Sequence, residues 1–387
     1  MKYTKLKYIN QYKSESINPA KTPDTIFEMY SVPIYETGHP EYLRGDEIAS
    51  NKTVVKKNDI LLCKINPRIN RVWVVPDESD KQNIASSEWI VIRNNEYNSE
   101  FLAWYFRTPK FQKLMTSEVT GIGGSLTRAQ PKCVAEYPVP IIDRKKQDEI
   151  VDVLNKCKFI IDSRQKELLE LNDLIKARFV ELFGDPIHNP LGWDMVTFDE
   201  CLTSIENGKS FVCDSNAREG EHPGILKLSA ATYGVYKPEE NKAIIDSNDF
   251  VKSAEVHNGD LLFTRKNTPE LVGMAAYVEI TPNKLMMPDL IFRLNTNSKC
   301  NKIYMWKLIN HDLYRRQVES AASGSAKSMS NISKERLGRL SLPLPPIKLQ
   351  NEFADFVKQV DKSKVAVQKA LEQTQTLFDS LMQKYFG

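Results

Sequence analysis

Two stretches of the chain place apolar residues at alternating steps of four and three. From Ile150 the steps fall on Leu154, Cys157, Ile161, Arg164, Leu168, Leu171, Ile175, Arg178 and Leu182. From Phe353 they fall on Val357, Val360, Lys364, Val367, Leu371, Thr374, Phe378, Leu381 and Tyr385. Sixteen of these 20 positions are apolar, where a chain that is 41% hydrophobic predicts about eight, so the period is that of a helix with one narrow stripe. Neither stretch contains proline or an internal glycine, and each predicts one helix of about 38 residues, roughly 57 Å long at 1.5 Å per residue.

The two stretches are also copies. Gln147 to Gly184 and Gln350 to Gly387 align without a gap at an offset of 203, with nine of 38 positions identical, among them Gln147, Gln165, Lys166, Phe183, Gly184 and their partners. Chance at ordinary residue usage gives about two. A long helix with a single stripe needs a similar partner, and the other copy is the obvious one, so the apolar members of the two seams are the expected pairing residues. Two separate surface helices, or a coiled coil between two chains, are the alternatives that the pattern leaves open. Arg164, Arg178, Lys364 and Thr374 interrupt the seams and are expected to fix register or reach the surface.

A proline-rich run leads into each helix, Tyr137 to Gln147 and Leu342 to Gln350, and marks a boundary because proline ends a strand and tolerates a helix start. The expected layout is a globular block over 1–143, a helix over 144–184, a second block over 185–345 and a second helix over 346–387. The blocks share a weaker signature. VVKKNDILLCKINP (Val54 to Pro67) and EVHNGDLLFTRKNTP (Glu255 to Pro269) each put an aspartate turn before a short apolar strand that runs into basic and polar residues. Further strands are predicted at Val72 to Val75, Glu88 to Ile92, Ile225 to Leu228, Met274 to Glu279 and Leu290 to Leu294, and one helix per block at Ser99 to Met115 and Lys302 to Glu319. Strands precede the helix in each block, which predicts α+β domains with a mainly antiparallel sheet.

Composition adds exclusions. The longest apolar runs are far short of the roughly 18 residues of a membrane span, and the start, MKYTKLKYINQYK, has no apolar core of a signal peptide, so a cytoplasmic protein is expected. The six cysteines form no CxxC pair and no histidine stands at metal-ligand spacing, so no metal site is expected. HExxH, GxSxG and Walker sequences do not occur. Net charge is only +3, but it is unevenly spread. Five cations stand against one anion between Thr53 and Trp73, and eight against three between Lys302 and Arg339, which makes two local basic patches. After each block's helix comes a loop of small polar residues with a cation, Thr120 to Arg128 and Ser323 to Ser330, suited to close approach of backbone N–H groups to phosphate, though neither is a phosphate-loop motif.

Together these features resemble the specificity subunit of type I restriction-modification systems. Gly192-Trp193 with a short hydrophobic segment is similar to the opening of a target-recognition domain of that family. Val256 to Leu262 with Thr264-Arg265 and Leu271 to Gly273 is similar to its central motif, and Asp59 to Leu62 with Asn66 to Trp73 is similar to that of another subtype. The twice-occurring proline-rich entry to a glutamine-headed helix resembles its conserved spacers. The first block lacks a clear Gly-Trp opening.

The resemblance implies two globular target-recognition domains joined by two long helices that pair as an antiparallel coiled coil with pseudo-twofold symmetry, the helices setting the distance between half-sites. It implies a non-catalytic chain that binds double-stranded DNA, reads a bipartite asymmetric target and binds no cofactor itself. Two modification subunits would bring S-adenosylmethionine and methylate adenine N6, and restriction subunits, where present, would bring ATP and Mg. Phosphate contacts are then expected from Lys56, Lys57, Lys64, Arg128, Arg316 and Lys327, and base reading from Asn66, Arg68, Arg71, Arg265, Lys266 and Asn267. Two other classes remain: a coiled-coil adaptor whose globular domains bind protein, and the targeting portion of a combined restriction and methylation enzyme.

Overall fold

The computed structural model describes every residue except 1, 78, 121–126 and 324–328. Contacts divide it into two compact units, Met1–Gln165 with Lys369–Gly387, and Lys166–Gln368. The boundaries cut through both long helices, so each globular block carries part of each helix as its own packing surface.

The first unit closes on itself by pairing the strand Lys2–Lys5 antiparallel with Pro138–Ile141. The second does the same with Asp194–Thr197 and Ser341–Leu344. The proline-rich entries are therefore strands rather than mere boundaries; in a two-stranded ribbon one edge is free, and prolines 138, 140 and 343 are accommodated there. In the first unit a three-stranded antiparallel sheet has the buried run Ile60–Cys63 at its centre, between Val72–Val74 and Trp89–Ile92. A five-stranded sheet beside it contains one parallel pair, Ile26–Tyr30 with Gln82–Ala85. The second unit places the equally buried Leu261–Thr264 between Ala275–Tyr277 and Ile291–Thr296, with Leu202–Asn207 as the fourth strand. The architecture is α+β and mainly antiparallel, as expected.

The helix expected in each block is two helices. Ser99–Phe106 and Pro109–Ser117 are separated because Thr108, ahead of a proline, takes an extended conformation and its hydroxyl caps Phe111 N–H. Lys302–Ile309 and Asp312–Ser320 are separated at His311, whose ring nitrogen caps Leu313 N–H.

The long helices run over Arg144–Phe183 and Ile347–Phe386, 40 residues each. Gly184 stops the first in the left-handed region at φ +75°. Within the first unit Ile150, Val151 and Leu154 pack with Phe386 and the half-buried Phe378, Leu381 and Tyr385. Within the second, Phe353, Val357 and Val360 pack with Ile175, Phe179 and Phe183, and Arg178 Nη2 donates to Glu352 Oε1 at 2.8 Å. In both, the start of one helix meets the end of the other, so the pairing is antiparallel. Ile161 and Val367 are also buried, and Leu168, Leu171, Leu182 and Leu371 are half-buried.

The stripe does two jobs. The Trp104 ring lies 5.5 Å from Phe378 and the Phe179 ring 5.8 Å from Tyr304, so the seams also pack on the block cores, contrary to the expectation that so narrow a stripe serves a partner helix alone. Toward its end the first helix buries Phe179 and Phe183, beside rather than at the stepped positions Arg178 and Leu182. Heptad stepping lags an α-helix by about 20° per seven residues, so four heptads from Ile150 amount to nearly one residue.

Candidate nucleic-acid interface

In each unit the aspartate turn that precedes the central strand is built the same way. Asn58 (φ +67°) and Gly259 (φ +85°) take left-handed conformations, and the following aspartates, Asp59 and Asp260, turn inward. Asp59 Oδ2 accepts Lys56 N–H at 2.8 Å, and Asp260 Oδ2 accepts His257 N–H at 2.9 Å. Each carboxylate meets an arginine on the neighbouring strand side. Arg93 donates Nε and Nη2 to the two oxygens of Asp59 at 2.6 and 2.5 Å, which holds its guanidinium above the ordinary value. Arg293 Nε lies 2.9 Å from Asp260 as an ion pair, while its Nη1 donates to Glu206 at 2.8 Å. Neither arginine was singled out by the sequence reading, since each partner lies more than thirty residues downstream.

A second repeated device ties this turn to the long helix. Asn98 N–H donates to Gln147 Oε1 at 2.7 Å and Asn301 N–H to Gln350 Oε1 at 2.8 Å. Both glutamines are buried, and each donates its amide N–H back to a carbonyl just before its own helix, Ile142 and Pro345 respectively. The next residue reaches the turn: Ser99 Oγ donates to Asn58 O at 2.6 Å, and Lys302 Nζ to Gly259 O at 2.8 Å.

At the other end of the central strand lies the basic segment. In the first unit Asn66 N–H donates to Thr127 O (2.8 Å) and Ala129 N–H to Lys64 O (2.8 Å), so the segment pairs with the outgoing side of the small-residue loop. In the second unit Lys266–Asn267 pairs antiparallel with Ser330–Asn331, and Ile332 N–H donates to Arg265 O at 2.8 Å. The basic run and the residues that follow the small-residue loop some sixty positions later thus form one surface in each unit.

This surface gathers Lys64, Asn66, Arg68 and Arg128 in the first unit. Asn66 adopts a left-handed conformation (φ +47°) that turns the chain so that Arg68 is exposed. Arg128 shares Glu88 at 3.3 Å. Arg71 is more withdrawn, its side chain 16% exposed and 3.9 Å from Glu36. Lys56 and Lys57 do not belong to this surface: they precede the strand Ile60–Cys63 and the basic segment follows it, a separation of about 13 Å along four residues. Lys57 is moreover paired with Asp77 at 2.5 Å.

In the second unit the surface holds Arg265 and Lys266. Arg265 stacks on Phe292 and donates to Asn331 Oδ1 at 3.1 Å, while Lys266 Nζ has no hydrogen-bond or ion-pair partner among the described residues. Asn267 corrects the expectation of a base-reading residue. It is 7% exposed, its Nδ2 donates to Thr232 Oγ1 at 3.1 Å and its Oδ1 accepts Thr268 N–H, so its amide is spent on the fold. Arg316 is exposed on the helix Asp312–Ser320. Lys327 lies outside the described residues.

Lys307 and His311 are among the titrating groups of the second unit that burial displaces. Lys307, its ammonium 3.4 Å from the Trp306 ring centroid, is lowered to about 8 by desolvation, with Asp361 opposing that shift and Lys364 adding to it. His311, its ring 5.0 Å from Phe179, is lowered for the same reason, with Asp312 opposing. Among the described residues no cluster of histidine, cysteine and carboxylate side chains could hold a metal ion, and no helix is long and apolar enough to cross a membrane.

Residues 190–374 match the family of the type I restriction modification DNA specificity domain. The type I restriction enzyme EcoEI specificity subunit of Escherichia coli is 28% identical over 346 residues, covering 82% of this chain and 56% of that protein. The chain thus spans little more than half of that relative. The MjaVIII specificity subunit of Methanocaldococcus jannaschii is 20% identical over 403 residues, covering 96% of this chain and 89% of that one. Among solved structures, the S subunit of a type I restriction-modification system from M. genitalium is alike in fold, with a TM-score of 0.63 at 14% identity over 100% of this chain and 96% of that one. A chain from a study of type I system assembly and conformational transition is alike with a TM-score of 0.57 at 19% identity, over 100% of this chain and 97% of that one. Residues 190–374 thus match a type I restriction modification DNA specificity domain, and the chain as a whole is similar in sequence to type I specificity subunits and shares the fold of solved ones.

Proposed function

We propose that this chain is the non-catalytic DNA-reading subunit of a type I system, with each unit reading one half of a bipartite, asymmetric target. The observation that carries this reading is the twofold construction of the candidate interface. In each unit a basic segment leaves a buried central strand and pairs with the outgoing side of a small-residue loop. Such a surface offers guanidinium and ammonium donors to base edges and phosphates from a rigid strand end. The modest net charge of +3 limits phosphate neutralisation, so sequence-specific affinity is expected to need partners.

Those partners are modification subunits, two per chain, which supply S-adenosylmethionine and transfer its methyl group to adenine N6, with restriction subunits adding ATP and Mg where a system contains them. This chain binds none of these cofactors itself and works in the cytoplasm. Support for docking comes from the long helices, whose outward faces leave Phe159, Leu169 and Val180 of the first, and Val365 and Leu377 of the second, exposed to solvent. Methylome sequencing of cells with and without the chain tests the reading. N6-methyladenine at one split motif should vanish with the chain; an unchanged methylome, or methyl transfer by the isolated chain, would overturn it. Absence of salt-sensitive binding to a random duplex pool would favour the adaptor instead.

A further inference from the structure

We propose that Tyr233 is a DNA-contacting residue of the second unit, its ring packing against deoxyribose and base edges of a duplex seated on Lys266. This rests on the DNA-reading function proposed above and adds to it a residue that no charge pattern indicated. The chain emerges from the short helix Leu228–Ala230 into a turn that is fastened on both sides of residue 233. Thr232, 4% exposed, accepts the Asn267 amide at 3.1 Å and donates its hydroxyl to Leu228 O at 2.7 Å. Gly234 O accepts Trp306 Nε1–H at 3.0 Å, and Lys237 N–H donates to Ala230 O at 2.9 Å. Gly234 sits at φ +76°, and a Cβ there would stand 3.2 Å from the Asn310 amide, so only glycine lets the turn lie this close to the core.

On this fixed turn Tyr233 points outward, 62% exposed, with no hydrogen-bond partner for its hydroxyl among the described residues. An exposed tyrosine means little alone. Its place is what argues. The residue before it is tied to Asn267, and Asn267 is the neighbour of Lys266 in the strand that pairs with the loop. The ammonium of Lys237 lies 5.8 Å from the ring centroid. Of the two acids on the same segment, Glu240 is occupied by Ser229 at 2.8 Å and Lys227 at 3.7 Å, and Glu239 is exposed. A fixed, exposed ring with the Lys237 ammonium beside it, on a turn tied to the strand that carries Lys266, suits a polyanion with apolar sugar and base surfaces, and tyrosine loses little rotamer freedom on binding.

The test uses the full chain assembled with its modification subunits and a labelled random-sequence duplex pool, with Kd measured over a series of salt concentrations. Tyr233→Ala should raise Kd by roughly five- to tenfold, the scale of truncating an interface aromatic. The slope of log Kd against log salt should stay as in the wild type, because a ring releases no counterions. Tyr233→Phe should bind as the wild type does. If the wild-type assembly binds no duplex, this inference falls together with the DNA-reading function. If the wild type binds and Tyr233→Ala binds equally well, or loses affinity with a shallower salt slope, the inference alone is overturned.

Discussion

Replacing Asp59 by asparagine should cost the first unit more than the matching change, Asp260→Asn, costs the second. At first sight the reverse is expected, because Arg293 is the more buried arginine, 9% exposed against 26% for Arg93. The partners decide otherwise. Both donors of Arg93 end on Asp59, which is itself 1% exposed, so asparagine leaves at least one charged donor facing an N–H group where water cannot enter. A hydrogen bond to a charged group is worth about 1.5–3 kcal/mol, and breaking a buried pair from one side costs about 3–5 kcal/mol. With the quarter of Arg93 that already meets solvent, a loss of about 3 kcal/mol is expected. Arg293, by contrast, keeps the Glu206 carboxylate at 2.8 Å and donates to the carbonyl of Glu255, and its Nε–H is not aligned on Asp260. About 1–2 kcal/mol is expected there.

The two units need not unfold together, so a single unfolding midpoint is a poor reporter. Native-state hydrogen exchange, followed on peptides from Ile60–Cys63 and Leu261–Thr264, reads each central strand separately. Asp59→Asn should lower the opening free energy of the first strand by about 3 kcal/mol and leave the second within about 0.5 kcal/mol. The double replacement of Asp59 and Arg93 by Asn and Met should recover part of the loss, since no buried charge is then stranded. Equal losses in the two units, or a larger loss with Asp260→Asn, would refute the reasoning.

Three further outcomes are expected. His311 is held neutral by burial, so below its unfolded value near 6.5 the unfolded chain takes up a proton that the folded chain refuses; urea stability of the second unit should fall as pH drops from 7.5 to 5.5, and His311→Asn should flatten that fall. Lys307, lowered to about 8, has the same sign in another window: stability should rise as pH increases from about 8 toward the unfolded value near 10.5, and Lys307→Met should remove the rise. Arg68→Ala should relax recognition of one half-site by about 1–3 kcal/mol in competition binding, whereas Lys57→Ala, at the far end of the strand and paired with Asp77, should shift binding to either half by less than about 0.5 kcal/mol.

Much of the fold was legible because it depends on local period. The 4,3 spacing of Ile150 to Leu182 and Phe353 to Leu381 specifies two helices whatever surrounds them, and the offset of 203 between copies announces a duplication. The helix break at Thr108-Pro109 was also written in the chain, as a proline after a capping residue, and was outweighed by the apolar run on either side. Nothing comparable marks the break at His311, where a ring nitrogen acts as cap. The Asp59–Arg93 and Asp260–Arg293 pairs could not be read, since a surface cation and a buried one look alike in a sequence. Asn267 failed for a related reason. A polar residue beside Arg265 and Lys266 suggests a solvated edge, yet the strand turns it toward Thr232, and an amide with two internal partners is stable inside where a lysine would not be.

The duplicated parts do equal work by unequal means. In the first unit the turn before the central strand is held chiefly by the two-pronged Arg93 bond, and the link from the glutamine-tied segment is a neutral serine hydroxyl on Asn58 O. In the second unit the arginine divides itself between Asp260 and Glu206, and the link is the ammonium of Lys302 on Gly259 O. A charged donor is worth roughly twice a neutral one, so the stronger bond has moved from the strand side of the turn to the helix side. The turn matters because the strand it starts delivers Lys64 to Arg71 or Arg265 and Lys266 at the other end, and a strand of four residues transmits any tilt directly. Gln147 and Gln350, identical in the two copies, anchor both paths to the long helices. Either arrangement of charges secures the position of the strand end.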